Sequence, residues 1–137
     1  MNKVFKVGLI GCGHIAETYF RGHQYFNNFK IVACADINPK AAEKCAKLYN
    51  IKHMTVNEIL KDQNIEVILN LTIPQSHYSV SKRVLNAGKH VYSEKPLATY
   101  FEKGKELVSL AKKKKLYIGN APDTCLLYTS DAADDYI

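Results

Sequence analysis

Two glycines and an alanine near the amino terminus have a spacing that could bind phosphate groups. Residues 11–16 read GCGHIA, a G-x-G-x-x-A pattern that directly follows an apolar run. Gly11 permits a tight turn, Gly13 lets a pyrophosphate approach the backbone, and Ala16 allows a helix to pack closely on a strand. The N–H groups and the positive dipole at the start of the following helix attract phosphate. Such a turn alone is weak evidence for a dinucleotide site.

Asp36 strengthens this interpretation, because it ends the second apolar run 20 residues after Ala16. A carboxylate at this place can accept hydrogen bonds from the adenosine ribose hydroxyls and repels a 2′-phosphate. Ile37 and Asn38 follow it, so no cation is available nearby for such a phosphate. The spacing therefore predicts a dinucleotide site that prefers NAD and leaves NADP open. The alternative is a plain glycine turn beside an incidental N-cap aspartate.

Two further segments carry reactive side chains at the ends of apolar runs. Residues 72–77 read TIPQSH, and Glu94, Lys95 and Pro96 follow a later run. Proline restricts the backbone of the lysine before it, and a neighbouring carboxylate can orient the ammonium group. The alternative for this segment is a surface turn with a solvated ion pair. His77 either lines a ligand pocket or is an ordinary histidine in the first turn of a helix.

The elements that must position these residues follow from alternating apolar runs and amphipathic stretches, which indicate repeated βαβ units. Asn38 and Pro39 predict an N-cap and a first helical position. The product is an α/β fold, a doubly wound parallel sheet flanked by helices, whose ligands lie beyond the carboxyl ends of the strands. We expect strands near residues 4–10, 29–35, 53–54, 67–71, 90–93 and 116–119, and helices near 14–25, 39–49, 57–61, 76–87 and from about 99 to the lysines at 112–115.

Length, composition and charge limit the classes of protein to which the chain can belong. The 137 residues, 47% of them hydrophobic, predict one domain with a single core. No apolar run approaches the roughly 20 residues of a membrane helix, and no signal-peptide pattern is present, so we expect a cytoplasmic protein with no membrane partner. The net charge is +6, but six of the 19 basic residues lie within residues 103–115. Lysines at a helix carboxyl terminus favour a solvated helix end over a polyanion site, so no nucleic acid is expected.

The four cysteines show no C-x-x-C pair and no spacing typical of zinc ligands. The sequence therefore predicts reduced thiols and no metal site. Cys12 is interpreted as the small variable residue of the glycine turn, without a redox role.

The order and spacing of these motifs resemble the amino-terminal Rossmann domain of the glucose-fructose oxidoreductase and inositol dehydrogenase family, known as Gfo/Idh/MocA. The resemblance runs from about residue 6 to residue 124, and one departure is Gln75, where many relatives have asparagine. It implies that Lys95 is the catalytic residue, between cofactor and substrate hydroxyl. The cofactor-binding residues that it implies are Gly11, Gly13, His14 and Ile15 at the pyrophosphate, Asp36 at the adenosine ribose, Thr72, Pro74 and His77 at the nicotinamide half, Glu94 at the nicotinamide ribose, and Asn120 in the matched segment 118–120.

The activity that the resemblance implies is hydride transfer between a sugar or cyclitol hydroxyl carbon and the nicotinamide of NAD, by a homo-oligomeric enzyme. The base that takes the hydroxyl proton comes mainly from a carboxyl-terminal α+β domain in this family, so we expect residues 1–124 to be the cofactor-binding domain of a fragment that is inactive alone. Alternatives are a non-catalytic module that senses nucleotide or redox state, a dihydrodiol or biliverdin-type reductase, and, more weakly, a nucleic-acid binder.

Residues 125–137 differ in character from the rest. They hold three aspartates and no lysine or arginine, and they continue no strand or helix pattern. From Cys125 to Asp134 they resemble the conceptual translation of a transposon-based sequencing adapter. We expect them to lie outside the domain, the alternative being a genuine disordered terminus.

Overall fold

The computed structural model describes residues 3–122. The segment expected to lie outside the domain, residues 125–137 with Cys125, and the last two residues of the predicted 1–124 domain are outside the described residues. Residues 3–122 form the strands β1 (Phe5–Ile10), β2 (Phe29–Ala35), β3 (Lys52–His53), β4 (Val67–Asn70), β5 (His90–Ser93) and β6 (Ile118–Asn120). The helices between them are α1 (His14–His23), α2 (Pro39–Tyr49), α3 (Val56–Lys61), α4 (Pro74–Asn86) and α5 (Phe101–Lys114).

One sheet of six parallel strands in the order β3-β2-β1-β4-β5-β6 confirms the predicted doubly wound α/β fold. The chain starts in the middle of the sheet, moves outward through β2 and β3, and then crosses to β4 and the opposite edge. Every carboxyl strand end therefore lies on the same side of the sheet. The order of strands reverses between β1 and β4, where ligands bind in folds of this kind.

Two core clusters, one on each face of the sheet, replace the single core expected from chain length. α1 and α2 cover one face, with Phe20, Cys34 and Cys45 among its buried residues. α3, α4 and α5 cover the other, with Ile59, Leu85 and Leu107 buried there. A parallel sheet is buried on both faces, so one domain of this length divides its core into two layers.

Local capping and proline signals explain which observed helix boundaries agree with those predicted from the sequence. Asn38 caps α2 by accepting a hydrogen bond from the Lys40 N–H at 3.1 Å, and Thr55 and Glu58 form a capping box at α3. By contrast, Pro74 begins α4 instead of preceding it, because the fixed φ of proline suits the first helical position. α5 begins at Phe101, two residues later than expected, and its cap residue Tyr100 makes no side-chain capping bond.

The lysines 112–115 form the exposed last turn and cap of α5, as predicted for a solvated helix end. Among the described residues, no helix is both long enough and apolar enough to cross a membrane.

Candidate functional site

The predicted site residues meet along one edge of the sheet, where the hydrogen-bond ladder continues one residue beyond the strands. The N–H of Gly11 donates to Ala35 at 2.8 Å, that of Leu71 to Ile10 at 2.8 Å, and that of Glu94 to Asn70 at 3.0 Å. These bonds set the glycine turn, the 72–77 segment and the Glu94-Lys95-Pro96 segment side by side. The sheet thus brings together motifs that are up to 84 positions apart in sequence, from Gly11 to Lys95.

The two glycines of the turn have different requirements. Gly11 has φ of +105°, and a Cβ there would lie 2.5 Å from the carbonyl carbon and oxygen of Leu71. A Cβ at Gly13 would meet nothing within 4 Å, and Gly13 is the N-cap of α1 with no side-chain capping bond. The first N–H groups of α1, at the exposed residues His14 and Ile15, therefore face open space above the turn. The open space beside Gly13 leaves room for a phosphate group at the start of α1.

Asp36 is tied to the same turn through both carboxylate oxygens. Its Oδ2 accepts a hydrogen bond from the Cys12 N–H at 2.7 Å, and its Oδ1 accepts one from the Asn38 N–H at 2.8 Å. The alternative of an incidental N-cap aspartate is wrong, since the cap of α2 is Asn38. The half-buried carboxylate stands beside Ile37, whose side chain is 100% exposed. No basic side chain follows Asp36 directly, as the sequence indicated.

A buried amide organises the segment after β4. Asn70 is 0% exposed, and its Nδ2 donates to the His77 carbonyl at 3.1 Å and to the Ser81 Oγ at 2.9 Å. Its Oδ1 accepts from the Thr72 hydroxyl at 2.7 Å and from the Thr72 N–H at 3.3 Å. The amide thereby fixes the turn that leads to Pro74 at the start of α4. Sequence reasoning missed Asn70, although a polar residue at the end of an apolar strand was the available signal.

His77 lies inside this network rather than in an open pocket. Its ring is 1% exposed, with Nε2 at 2.7 Å from the Thr72 carbonyl oxygen and Nδ1 at 2.6 Å from that of Pro96. Both ring nitrogens are thus engaged with the backbone of two segments. The side chain holds the 72–77 segment against the Lys95-Pro96 segment, whose peptide bond is cis.

Glu94 and Lys95 have different surroundings, although they are neighbours in sequence. The Tyr19 hydroxyl of α1 donates to Glu94 Oε1 at 2.6 Å, and burial together with this carboxylate raises the pKa of Tyr19 well above its usual range. The ion pair between Glu94 and Lys95 that belonged to the alternative interpretation is absent from the salt bridges of residues 3–122, and Lys95 is exposed. Asn120 uses its amide to bind the carbonyls of Ser93 and Glu94 at 3.0 and 3.1 Å.

Three cysteines converge directly beneath the glycine turn. The Sγ atoms of Cys12, Cys34 and Cys45 lie within 4.8 Å of one another. The neighbouring Cys12 side chain lowers the pKa of the Cys34 thiol, while burial raises the pKa of Cys45 to about 11. Spacing rules for metal sites overlooked this cluster because its members come from three separate elements.

A larger cleft than the one at the glycine turn lies elsewhere among the described residues. A mainly apolar cavity of about 590 Å³ lies on the α1 side of the sheet, against Val7, Leu69 and Tyr92. A smaller cleft of about 390 Å³ is lined by Cys12, Gly13 and His14 and opens at the glycine turn. The chemistry-bearing residues are at the second position, so cavity size does not mark the candidate site.

Comparisons with known proteins agree with this geometry. The model of the Gfo/Idh/MocA family, described as an oxidoreductase family with an NAD-binding Rossmann fold, matches residues 5–121. An uncharacterized oxidoreductase of Schizosaccharomyces pombe is 38% identical over 95 residues, which cover 67% of this chain and 26% of that protein. An inositol 2-dehydrogenase/D-chiro-inositol 3-dehydrogenase of Lactiplantibacillus plantarum is 29% identical over 114 residues, covering 80% of this chain and 33% of the relative.

Among solved structures, biliverdin reductase of Synechocystis in complex with biliverdin and NADP+ is 27% identical with a TM-score of 0.78, covering 84% of this chain and 37% of that chain. The chain thus spans about a quarter to a third of the length of the two curated relatives.

Proposed function

The chain belongs to the Gfo/Idh/MocA family of NAD-binding Rossmann oxidoreductases, and we propose that it is the cofactor-binding part of a dehydrogenase. This dehydrogenase acts on a hydroxyl-bearing carbon of a sugar or cyclitol. One observation carries the proposal. Asp36 is held 2.7 Å from the Cys12 N–H, beside an open helix start and on the same sheet edge as Glu94 and Lys95. The shared edge supports a proposal in which the glycine turn binds an anion, Asp36 accepts from a ribose and Lys95 contacts the substrate.

We assign the cofactor contacts by position along that edge. The N–H groups of Gly13, His14 and Ile15 bind the pyrophosphate, because they are exposed and no capping side chain competes for them. Gly11 closes the turn beneath them. Asp36 accepts from the adenosine ribose hydroxyls, and its charge favours NAD over NADP.

The nicotinamide half lies against the second group of segments. Thr72 and Pro74 form its turn, and Glu94 lies at the nicotinamide ribose. His77 and Asn120 act by holding these segments, since their polar atoms already bind backbone carbonyls. When bound, the nicotinamide ring supplies the hydride acceptor or donor.

Lys95 is the proposed catalytic residue. Its exposed ammonium, free of salt bridges among residues 3–122, is available to donate a hydrogen bond to the substrate hydroxyl oxygen. The adjacent contact between Glu94 and Tyr19 fixes the backbone that carries it. Proton removal from the hydroxyl also needs a base, which we propose comes from a part of the whole protein outside the matched residues 5–121.

The substrate class comes from the inositol dehydrogenases among the relatives. Because this chain spans only part of their length, the activity is proposed for the whole protein. The 137-residue chain by itself is proposed to bind the cofactor and to turn over no substrate.

Calorimetric titration with NAD and NADP tests the cofactor assignment. We expect NAD to bind with a micromolar or weaker dissociation constant, and Asp36→Ala to weaken NAD binding while NADP binding weakens less or improves. A matched control is Glu43→Ala, which removes an exposed carboxylate from α2 away from the turn.

The comparison of NAD with NADP separates the two roles of Asp36, which are to bind the adenosine ribose and to hold the glycine turn. Damage to the turn alone weakens both ligands equally, and that outcome would remove the ribose assignment. Absence of NAD binding to the folded chain would overturn the cofactor proposal itself.

The likeness to biliverdin reductase supports one second candidate, a reductase of the same cofactor type that acts on a substrate other than a sugar. Assays of the full-length protein with a cyclitol and NAD, and with biliverdin and a reduced cofactor, distinguish the two by which reaction consumes cofactor.

A further inference from the structure

Three thiols from three different elements meet at one point of the described structure. Cys12 lies in the turn after β1, Cys34 in β2 and Cys45 in α2, and their Sγ atoms are within 4.8 Å of one another. Cys34 is 0% exposed and Cys45 is 7% exposed, while Cys12 is half-buried. The dinucleotide assignment uses none of these sulfur atoms, although it uses the backbone around Cys12.

The donor atoms define the chemistry of the cluster. Among the described residues the group contains sulfur ligands only, without a histidine or carboxylate. Thiolates select soft ions such as Zn²⁺ and Cu⁺ over Mg²⁺ or Ca²⁺. Three sulfur atoms bound to one ion at about 2.3 Å lie about 4 Å from one another. The thiols are therefore close to the required spacing, and a small rotation of their side chains completes it.

The cluster is accessible to an ion from one side. Cys12 and Cys45 both line the cleft of about 390 Å³ at the glycine turn. On the other side, the Cys34 thiol donates a weak hydrogen bond to the Ala42 carbonyl at 3.4 Å, and Cys12 donates to the Ala35 carbonyl at 3.5 Å. A bound ion replaces these weak bonds, and the backbone around the pocket stays as it is. An entry path and three like donors are features that a metal site requires, and here they occur at the edge of a core cluster.

We propose that Cys12, Cys34 and Cys45 bind one soft, thiophilic metal ion as a three-thiolate site. Each thiol loses one proton to solvent as its sulfur–metal bond forms, and no electron is transferred. The spacing in sequence gave no indication of such a site, because the ligands are 22 and 11 positions apart and adjacent only in the fold.

Titration of the reduced, metal-free chain with Cd²⁺ under anaerobic conditions tests the proposal. We expect a near-ultraviolet thiolate-to-metal charge-transfer band that saturates at one ion per chain. Cys12→Ser and Cys45→Ser each weaken the binding of Cd²⁺ at least about tenfold. The matched control Cys125→Ser, which changes a cysteine that is not among the three proposed ligands, leaves the titration unchanged. Mg²⁺ at the same concentrations gives no band.

Two results would overturn the site: a titration of the Cys12→Ser/Cys45→Ser double variant that matches the unaltered chain, or loss of the band in Cys125→Ser. Circular dichroism of each variant confirms that it is folded before it is compared.

A second measurement needs no variant. Alkylation of the unaltered chain, followed by mass spectrometry of its peptides, should show that one equivalent of Cd²⁺ slows modification of Cys12 and Cys45 but not of Cys125. Unchanged alkylation of Cys12 in the presence of the ion, or equal protection of Cys125, contradicts the assignment.

Discussion

In the amino-terminal half of the sheet, β1 to β3, a glycine turn and one half-buried carboxylate hold the strand-end segments, whereas in the carboxyl-terminal half, β4 to β6, a network of buried side chains holds them. Gly11 at φ +105° and the N–H groups bound by Asp36 shape the first half. Asn70 and His77, both almost fully buried, shape the second. Backbone geometry that only glycine tolerates leaves a clear signature in sequence, whereas the buried polar network leaves only a weak one, a polar residue at the end of an apolar strand.

The largest effect is expected from a change at the backbone of the first half. Gly11→Ala places a Cβ 2.5 Å from the Leu71 backbone at a positive φ, so we expect a loss of about 3–5 kcal/mol in the free energy of unfolding. Gly13→Ala is the matched control, with open space around its Cβ and an expected change below about 1 kcal/mol. Urea denaturation measures both, and equal stability of the two variants would contradict the distinction drawn between these glycines.

In the second half, a substitution of a buried side chain should lower the free energy of unfolding. Asn70→Ala removes the amide that binds Thr72, His77 and Ser81, leaving buried polar groups without partners and a small cavity. We expect a loss of about 2–3 kcal/mol. Asn64→Ala is an exposed control with an expected change of less than about 0.5 kcal/mol. If both asparagine variants unfold at the same urea concentration, the buried network does not stabilise this half.

Tyr19→Phe removes a hydrogen bond between the two halves of the sheet. The lost hydrogen bond to Glu94 is short and its acceptor is charged, so we expect a destabilisation of about 1–2 kcal/mol. Tyr25→Phe, 85% exposed, is the control and should match the unaltered chain. Thermal unfolding measures the change, and no difference between the two variants would show that the halves are held together without this bond.

The smallest effect is expected on the surface of the second half. Hydrogen bonds from Tyr78 and Lys82 lower the pKa of Glu106 from 4.5 to about 2. Because this pKa is lower in the folded chain than in the unfolded chain, the carboxylate stabilises the fold above pH 4.5, and its contribution is lost as the pH falls to about 2. The coupling between Lys82→Gln and Glu106→Gln, measured by a double-mutant cycle of unfolding, should be small at pH 7 and smaller still at pH 2, where about half of the Glu106 carboxyl groups are protonated. Equal coupling at both values would contradict the assigned pKa.

The fold was largely predictable because its local signals are strong. β2 occupies residues 29–35 as expected, and Asn38 and Pro39 begin α2 as expected. Errors fall where local signals are weak or ambiguous. Tyr100 provides no capping bond for α5, and Pro74 is compatible with either a helix start or a helix break.

The candidate site was predictable in its position but not in its internal contacts. Parallel strands necessarily bring Asp36 and Lys95 to one edge, so the motif residues could be placed together from sequence. The hydroxyl of Tyr19 on Glu94 and the meeting of Cys12 with Cys34 and Cys45 depend on side chains from distant elements. Neither contact has a characteristic spacing, so neither could be inferred before the fold was known.

The full exposure of Ile37 bears on how cofactor preference could change during evolution. An arginine at this position would lose no packing and would offer a cation to a 2′-phosphate. Loss of the Asp36 carboxylate, by contrast, releases the N–H groups of Cys12 and Asn38 and so disturbs the turn. A change of cofactor preference that begins with arginine at position 37 therefore leaves the hydrogen bonds of Asp36, and with them the turn, intact at its first step.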